Sequence, residues 1–401
     1  MLVTLLLLAA LSLGLSLLFT PIIRTLALHC NLVDLPDGKR KVHKKPIPRV
    51  GGVALGAAYF GSLLLAAAYV SGRQPEVTGG FAAVKLIAPA ALLVFFVGLA
   101  DDICSLKPWH KFGVQVVAAV LVVSAGVHIH SIAALSIDPI VGMLASVLWL
   151  VACTNAVNLI DGLDGLAAGI SFLATMTALI ASLTSGNVPL TIATAPLAGA
   201  LLGFLVFNSN PASIFLGDSG SLLLGFLLGC YGILWSGSSA TLLEMAAPLM
   251  AVAVPLVDTT VAITRRFLTG QPIFKADRSH IHHRLLARGL SHLRAVLLLY
   301  VAAAMAGSLS LCLIWARDRW QGVVLAAFAC AVVLGVRQLD YAEFHLLRGV
   351  AFFAGSRTPL TARLAPQRPE ERLEATNTAG VELKTAVFSH AAFETRRHPA
   401  A

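Results

Sequence analysis

Two adjacent carboxylates, Asp101 and Asp102, follow directly on the apolar run ALLVFFVGLA. Ionisable groups at a hydrocarbon boundary are expensive, and on that ground they are functional candidates. Neighbouring carboxylates repel unless a cation or a shared proton intervenes, and a divalent metal is the simple remedy. The plain alternative is a solvated helix end, yet the helix macrodipole disfavours acids at a C-terminus. A third acid, Asp218, stands in FNSNPASIFLGDSGSLLLG between Gly217 and the small residues Ser219 and Gly220. Small residues let a backbone approach a ligand closely, whereas an Asp at a helix start can be no more than an N-cap. Hard oxygen donors are what Mg²⁺ takes, one or two carboxylates together with phosphate oxygens and water. In NAVNLIDGLDGLAAG, polar residues recur every third position, at Asn155, Asn158, Asp161 and Asp164. Steps of three bring successive side chains together on a helix but turn back by about 60° each time, so Asn155 and Asp164 would point opposite ways on an unbroken one. Gly162 and Gly165 argue against an unbroken helix. The expected arrangement is a helix end carrying Asn155 and Asn158, then a short turn presenting Asp161 and Asp164.

A further segment, TRRFLTGQPIFKADRSHIHHRLLARG, places His280, His282 and His283 within four positions, flanked by Arg278 and Arg284. Zinc is one reading, because histidine clusters bind it. No Cys lies nearby, and HxHH lacks the i, i+4 pair of a zinc-protease helix. Arg and His donors suit phosphate oxygens, which favours a phosphate clamp. The basic stretch DLPDGKRKVHKKPIPRVGG has two readings, a lipid-facing anchor and a part of the site. There is no Walker motif, no GxSxG and no evident Ser–His–Asp order.

The elements that carry these groups follow from composition. The 401 residues are 57% hydrophobic and only 12% charged, where soluble domains average about 25% charged. Mean hydropathy is +0.83. Eleven apolar segments are long enough to span a bilayer, at about 2–23, 51–70, 81–100, 113–129, 140–157, 165–184, 189–207, 219–236, 245–263, 295–315 and 321–337. Buried helices of a soluble protein would need polar faces with helical period, and these segments have none. The chain is therefore expected to be an all-α polytopic membrane protein. Lys and Arg concentrate in the first, third and ninth connections and in the tail, which predicts an outside N-terminus and cytoplasmic odd-numbered loops and C-terminus. That asymmetry accounts for most of the net charge of +9 and requires no nucleic acid. The clustered acids then all face the cytoplasm. The first segment lacks the charged n-region of a signal peptide and is expected to remain as a helix. The six cysteines form no CxxC pair and are expected to be small core residues. Residues 1–337 form the expected membrane domain, and 338–401 a tail in which LDYAEFHLLRGVAFF has an interfacial pattern before a disordered end. A transporter is the rival class. It would need polar groups at the bilayer midplane and broken helices, and Asp258 in PLVDTT is the residue that could serve it.

DDICSLKPWHK, NAVNLIDGLDGLAAG, FNSNPASIFLGDSGS and DRSHIHHRLL, in this order, resemble the polyprenyl-phosphate N-acetylhexosamine-1-phosphate transferases. The HIHH form is similar to the branch that starts cell-surface polysaccharides from UDP-GlcNAc; the peptidoglycan branch, acting on UDP-MurNAc-pentapeptide, has a different histidine loop. The resemblance covers about 1–337 and implies transfer of N-acetylhexosamine 1-phosphate from a UDP-sugar to a polyprenyl phosphate, with release of UMP and a need for Mg²⁺ or Mn²⁺. It implies a bacterial inner-membrane enzyme with a cytoplasmic site, and leaves a homodimer open. By position it assigns Asp101 and Asp102 to the paired acids, with Asp101 either deprotonating the lipid phosphate or attacking directly. Asp218 matches the Mg²⁺ aspartate, with Asn158 beside the metal. Asp161 and Asp164 match acids that hold nucleotide or assist catalysis. Arg278, His280, His282 and His283 match the sugar-nucleotide phosphate segment. Lys111, Lys45 and Arg49 are candidates for the lipid phosphate, and Asn155 and Asn208 for substrate contact.

Overall fold

A computed structural model describes residues 2–34, 46–70, 75–132, 135–236, 246–271, 280–316 and 318–339. Each of the eleven apolar segments is helical within them. The first eight give α1 (Leu2–His29), α2 (Gly51–Val70), α3 (Pro75–Cys104), α4 (Pro108–Ser124), α5 (Pro139–Ile160), α6 (Leu166–Ser185), α7 (Val188–Asn208) and α8 (Gly217–Ser236). The ninth is interrupted, giving α9 (Ala246–Ala251) and α10 (Ala253–Leu268). The last two are α12 (His292–Trp315) and α13 (Asp318–Gln338). Nine helices among the described residues are long and apolar enough to cross a membrane, and the shorter α4 is apolar too. The chain is a polytopic, all-α membrane protein. The basic residues 35–45, Arg278 and the tail from 340 onward lie outside the described residues.

Local chemistry explains where the helices start and stop. Asp138 caps α5 by accepting from the N–H groups of Ile140 and Val141, with Pro139 at the first helical position. Asn187 caps α7 through the Leu190 N–H, and Ser291 caps α12 through the Arg294 N–H. The expected single helix over 245–263 is corrected to two pieces, divided at Val252. Pro255 has no N–H for the carbonyl four residues back, and its ring crowds that carbonyl, so the first piece ends at Ala251. The residues at this break, Met250 to Ala253, are apolar and buried, so it offers no polar path of the kind a transporter needs.

The most enclosed helices are α8 and α7, with 83% and 78% of their apolar windows buried; for α13 the share is 6%. One buried chain of hydrogen bonds links α2, α8 and α7 inside this core: Tyr59 Oη meets Tyr231 Oη at 2.8 Å, and Tyr231 donates onward to the Ala193 carbonyl at 2.9 Å. Alternating passages bring the ends of α3, α5 and α7 to the starts of α4, α6 and α8. A two-residue antiparallel pairing, β1 (Val33–Asp34) with β2 (Ile47–Pro48), closes the loop after α1 on that same side. A second short pair, β3 (Ser131–Ile132) with β4 (Leu135–Ser136), lies between α4 and α5. The β2 segment is tied to the loop before α8: Phe215 N–H donates to the Pro48 carbonyl, and Gly51 and Gly52 donate to the carbonyls of Phe215 and Leu216.

Candidate active site

The start of α8 is built onto the end of α3. Both oxygens of the buried Asp102 carboxylate are engaged there, Oδ1 by the Asp218 N–H at 2.8 Å and Oδ2 by the Ser219 N–H at 3.0 Å. An acid from one helix thereby satisfies the orphan N–H groups and positive dipole end of another. Gly98 makes this approach feasible: a Cβ there would lie 2.5 Å from the Asp218 carbonyl oxygen. Arg49 holds the other partner, donating from Nε to the Asp102 carbonyl and from Nη2 to the Asp101 carbonyl at the end of α3.

Asp101 faces the opposite way from its neighbour. Its Oδ1 accepts the Leu106 N–H at 2.6 Å, which folds the turn between α3 and α4, and its Oδ2 accepts Lys111 Nζ at 3.1 Å. Lys111 also donates to Asp218 Oδ2 at 2.7 Å. One ammonium therefore bridges two carboxylates from separate helices. The adjacent pair read in the sequence is divided: Asp102 turns to backbone and Asp101 to a cation.

The polar repeat ends as its spacing implied. α5 stops at Ile160, residues 161–165 form a turn, and Gly165 begins α6 with φ +75°. Asn155 donates to Gln115 Oε1 of α4 at 2.6 Å and to its own helix, so it joins α5 to α4. Asn158 donates from Nδ2 to Ser221 Oγ at 2.9 Å, in the first turn of α8. Asp161 is half-buried, and burial pushes its carboxyl up to about 8, with the negative charges of Asp218, Asp102 and Asp164 adding to the shift. Asp164 accepts Asn210 Nδ2 and the Ala212 N–H at its Oδ2, while its own N–H donates to His292 Nε2. It thus binds the α5–α6 turn to the loop before α8 and to the start of α12. Asn208 is buried and donates to the Ile214 carbonyl inside that loop.

The histidine segment forms a short helix, α11 (Ile281–Ala287), beginning just after His280. His280 and His282 stack with rings parallel within 3° and centroids 5.9 Å apart, and His283 lies 4.2 Å from His282. His282 is buried, with neither ring nitrogen hydrogen-bonded. Burial first, and the adjacent His283 second, pull it down to about 3, so it is a neutral packing surface. It packs on the α5–α6 turn, where a Cβ at Gly162 would sit 2.2 Å from His282 Nε2. His280 Nδ1 lies 2.9 Å from Asp258 Oδ2 of α10.

The structure thus brings Asp101, Asp102, Lys111, Asn158, Asp161 and Asp218 to one place, with His282 behind the turn that carries Asp161. Arg49, Asn155, Asp164 and Asn208 make the structural bonds described, and Lys45 and Arg278 lie outside the described residues. Four participants were not singled out from the sequence. Gln115 had a signal, a lone amide in the run FGVQVVAAVLVV; Ser221, Asn210 and His292 had none.

Among the described residues, no three His, Cys, Asp or Glu side chains gather into a ready-made metal cage. The donor set nevertheless suits a hard cation that takes few protein ligands. Lys111 already supplies positive charge between Asp101 and Asp218, and Asn158, whose Nδ2 is spent on Ser221, has its amide oxygen left over.

Residues 84–236 match the family model described as "Glycosyl transferase family 4". A "Probable undecaprenyl-phosphate N-acetylglucosaminyl 1-phosphate transferase" of Bacillus subtilis (strain 168) is 39% identical over 290 residues, 71% of this chain and 78% of the relative. A "Decaprenyl-phosphate N-acetylglucosaminephosphotransferase" of Mycolicibacterium smegmatis is 34% identical, over 70% of this chain and 74% of the relative. A "Phospho-N-acetylmuramoyl-pentapeptide-transferase" of Shouchella clausii is similar at 29% identity, over 70% of this chain and 86% of the relative.

Proposed function

The chain belongs to glycosyl transferase family 4, and from that premise we propose that it transfers N-acetylglucosamine 1-phosphate from UDP-GlcNAc to a polyprenyl phosphate. The observation that carries the reading is the bridge of Lys111 between Asp101 and Asp218, beside Asp161. It is a cationic point among carboxylates at the ends of membrane helices. The names of the two N-acetylglucosamine relatives support the donor and the acceptor.

In this reaction an oxygen of the acceptor phosphate attacks the β-phosphorus of the UDP-sugar. The bond from that phosphorus to the oxygen bridging the α-phosphorus breaks, and UMP leaves with the bridging oxygen. One phosphoanhydride replaces another. A phosphate monoester has a second pKa near 6, so above about pH 6 the acceptor is already the dianion and needs no general base. We accordingly assign Asp101 to the orientation of Lys111, and Lys111 to holding the acceptor phosphate at the bilayer edge. Asp218 and the Asn158 amide oxygen would hold Mg²⁺, which neutralises and orients the diphosphate when bound. Asp161 stands beside these groups on the α5–α6 turn, and the histidine segment supplies donors to the nucleotide phosphates. The charge pattern of the loops supports a cytoplasmic site, on the side where UDP-sugars are made.

Purified protein supplied with UDP-GlcNAc, UDP-GalNAc and UDP-MurNAc-pentapeptide in parallel, each with polyprenyl phosphate and Mg²⁺, tests the reading. The expected product is a polyprenyl diphosphate bearing N-acetylglucosamine, identified by mass and abolished by a chelator. Product from UDP-MurNAc-pentapeptide alone would move the chain to the other branch, and no lipid product from any donor would refute the reaction.

A further inference from the structure

One buried carboxylate beside the site has no part in the reaction as set out above. Asp258 lies within α10 and is only 1% exposed. A carboxylate in such a place must be compensated by strong donors. Its two oxygens are divided between two tasks. Oδ1 accepts the Ile281 N–H at 2.8 Å, which satisfies the first turn of α11. Oδ2 accepts from His280 Nδ1 at 2.9 Å. With Nδ1–H turned onto Asp258, Nε2 is the nitrogen left on the other side of the ring. That ring lies parallel to His282, which rests on Gly162 of the turn carrying Asp161. In a ring that carries both protons each nitrogen donates, so Nδ1–H can stay on Asp258 while Nε2–H meets a phosphate oxygen.

We infer that Asp258 is a positioning residue for the diphosphate of the donor: through His280 it fixes which ring nitrogen is offered and lets that nitrogen donate to a phosphate oxygen. This rests on the transfer reaction proposed above. It assigns Asp258 a role beyond filling the membrane core, and it ties the polar residue of the interrupted ninth segment to substrate recognition.

The experiment uses the full chain, purified in detergent, and measures binding of UDP and of uridine by calorimetry, alongside KM and kcat. Asp258→Asn keeps an oxygen for the Ile281 N–H but puts a neutral amide against His280. It is expected to weaken UDP about tenfold, the loss of one charge-assisted hydrogen bond, and uridine by less than about twofold. KM for UDP-GlcNAc should rise in parallel, with kcat and KM for polyprenyl phosphate within about twofold. His280→Gln should do the same, and the double variant should be no worse than either single one, because Asp258 acts only through His280. Asp258→Glu, which retains the carboxylate, should stay within about threefold of wild type. UDP affinity unchanged in either folded single variant overturns the inference. So does a double variant weakened by the product of the two, about a hundredfold. Should Asp258→Asn fail to fold, His280→Gln and Asp258→Glu decide the matter by the same limits. A chain that binds UDP in this dyad-dependent way yet transfers nothing would overturn the reaction and leave the dyad standing.

Discussion

The carboxylate wall and the histidine wall of the site are held by different means. On the carboxylate wall, the residues proposed for chemistry also hold the fold: Asp102 closes the start of α8, Asp101 folds the α3–α4 turn, and Lys111 joins α3, α4 and α8. On the histidine wall, a seven-residue helix is fastened at its start by one buried acid, Asp258, and leans on the α5–α6 turn through His282. Substitutions on the first wall should therefore mix loss of activity with loss of stability. Substitutions on the second should touch ligand affinity first.

Asp218→Asn is expected to have the largest effect. Its side chain is the most open of the bridged trio, and the amide keeps the volume while removing a charge. Turnover should fall by about 10²–10³, the usual loss when one electrostatic partner of a transition state is removed, in a protein that still folds but melts lower for want of the Lys111 ion pair. Near-normal turnover would remove Asp218 from the cation site.

Gly98→Ala should come next and should mix both kinds of loss. The added methyl meets the Asp218 backbone oxygen, which has no rotamer by which to move away. Overpacking of this kind costs about 1–3 kcal/mol, and the shift of α8 should carry Asp218 off Lys111. A variant with wild-type melting and full activity would show that α3 and α8 do not meet as described.

A smaller and more diagnostic effect concerns Asp161. Its folded pKa, raised to about 8, lies above the ordinary carboxylate value. The folded state therefore binds more protons between about pH 4 and 8, and stability falls as pH rises through that window. Burial is the larger cause, and a divalent cation would relieve the part that comes from repulsion by Asp218, Asp102 and Asp164. Melting followed with and without Mg²⁺ should show a larger gain at pH 8 than at pH 6, and Asp161→Asn should remove the difference. An equal gain at both pH values would contradict this account of the carboxylate cluster.

The smallest effect is expected at Asn155. Its Nδ2 is occupied by Gln115 and by the α5 backbone, so Asn155→Ala should cost about 1 kcal/mol of stability while KM for the donor stays within about twofold. A tenfold rise in KM would return Asn155 to the substrate-contacting residues.

How much of this was legible in the sequence depends on the range of the interaction. Segments of about twenty apolar residues declare themselves, because the bilayer fixes their length and composition. The turn at Asp161 and Asp164 was legible because Gly162 and Gly165 lie within it, and backbone freedom is a local property. The interruption at Val252 was missed: hydropathy is blind to it, and the cause is one proline inside an otherwise apolar run. The division of labour between Asp101 and Asp102 was not legible at all. Adjacent residues in the last turn of a helix point in different directions, and which one meets α8 depends on how two distant helices cross. For the same reason the partners of Asp258 and Asp164, 22 and 128 residues away, could be named only once the helices were assembled.

The central claim is that a sugar phosphate moves, and not a sugar alone. UDP-GlcNAc carrying ³²P only at the β-phosphorus, incubated with the protein, Mg²⁺ and polyprenyl phosphate, separates the two directly. Label in the organic-extractable lipid, matched mole for mole by unlabelled UMP, is the expected result. Label retained in aqueous UDP while sugar enters the lipid would contradict phosphate transfer.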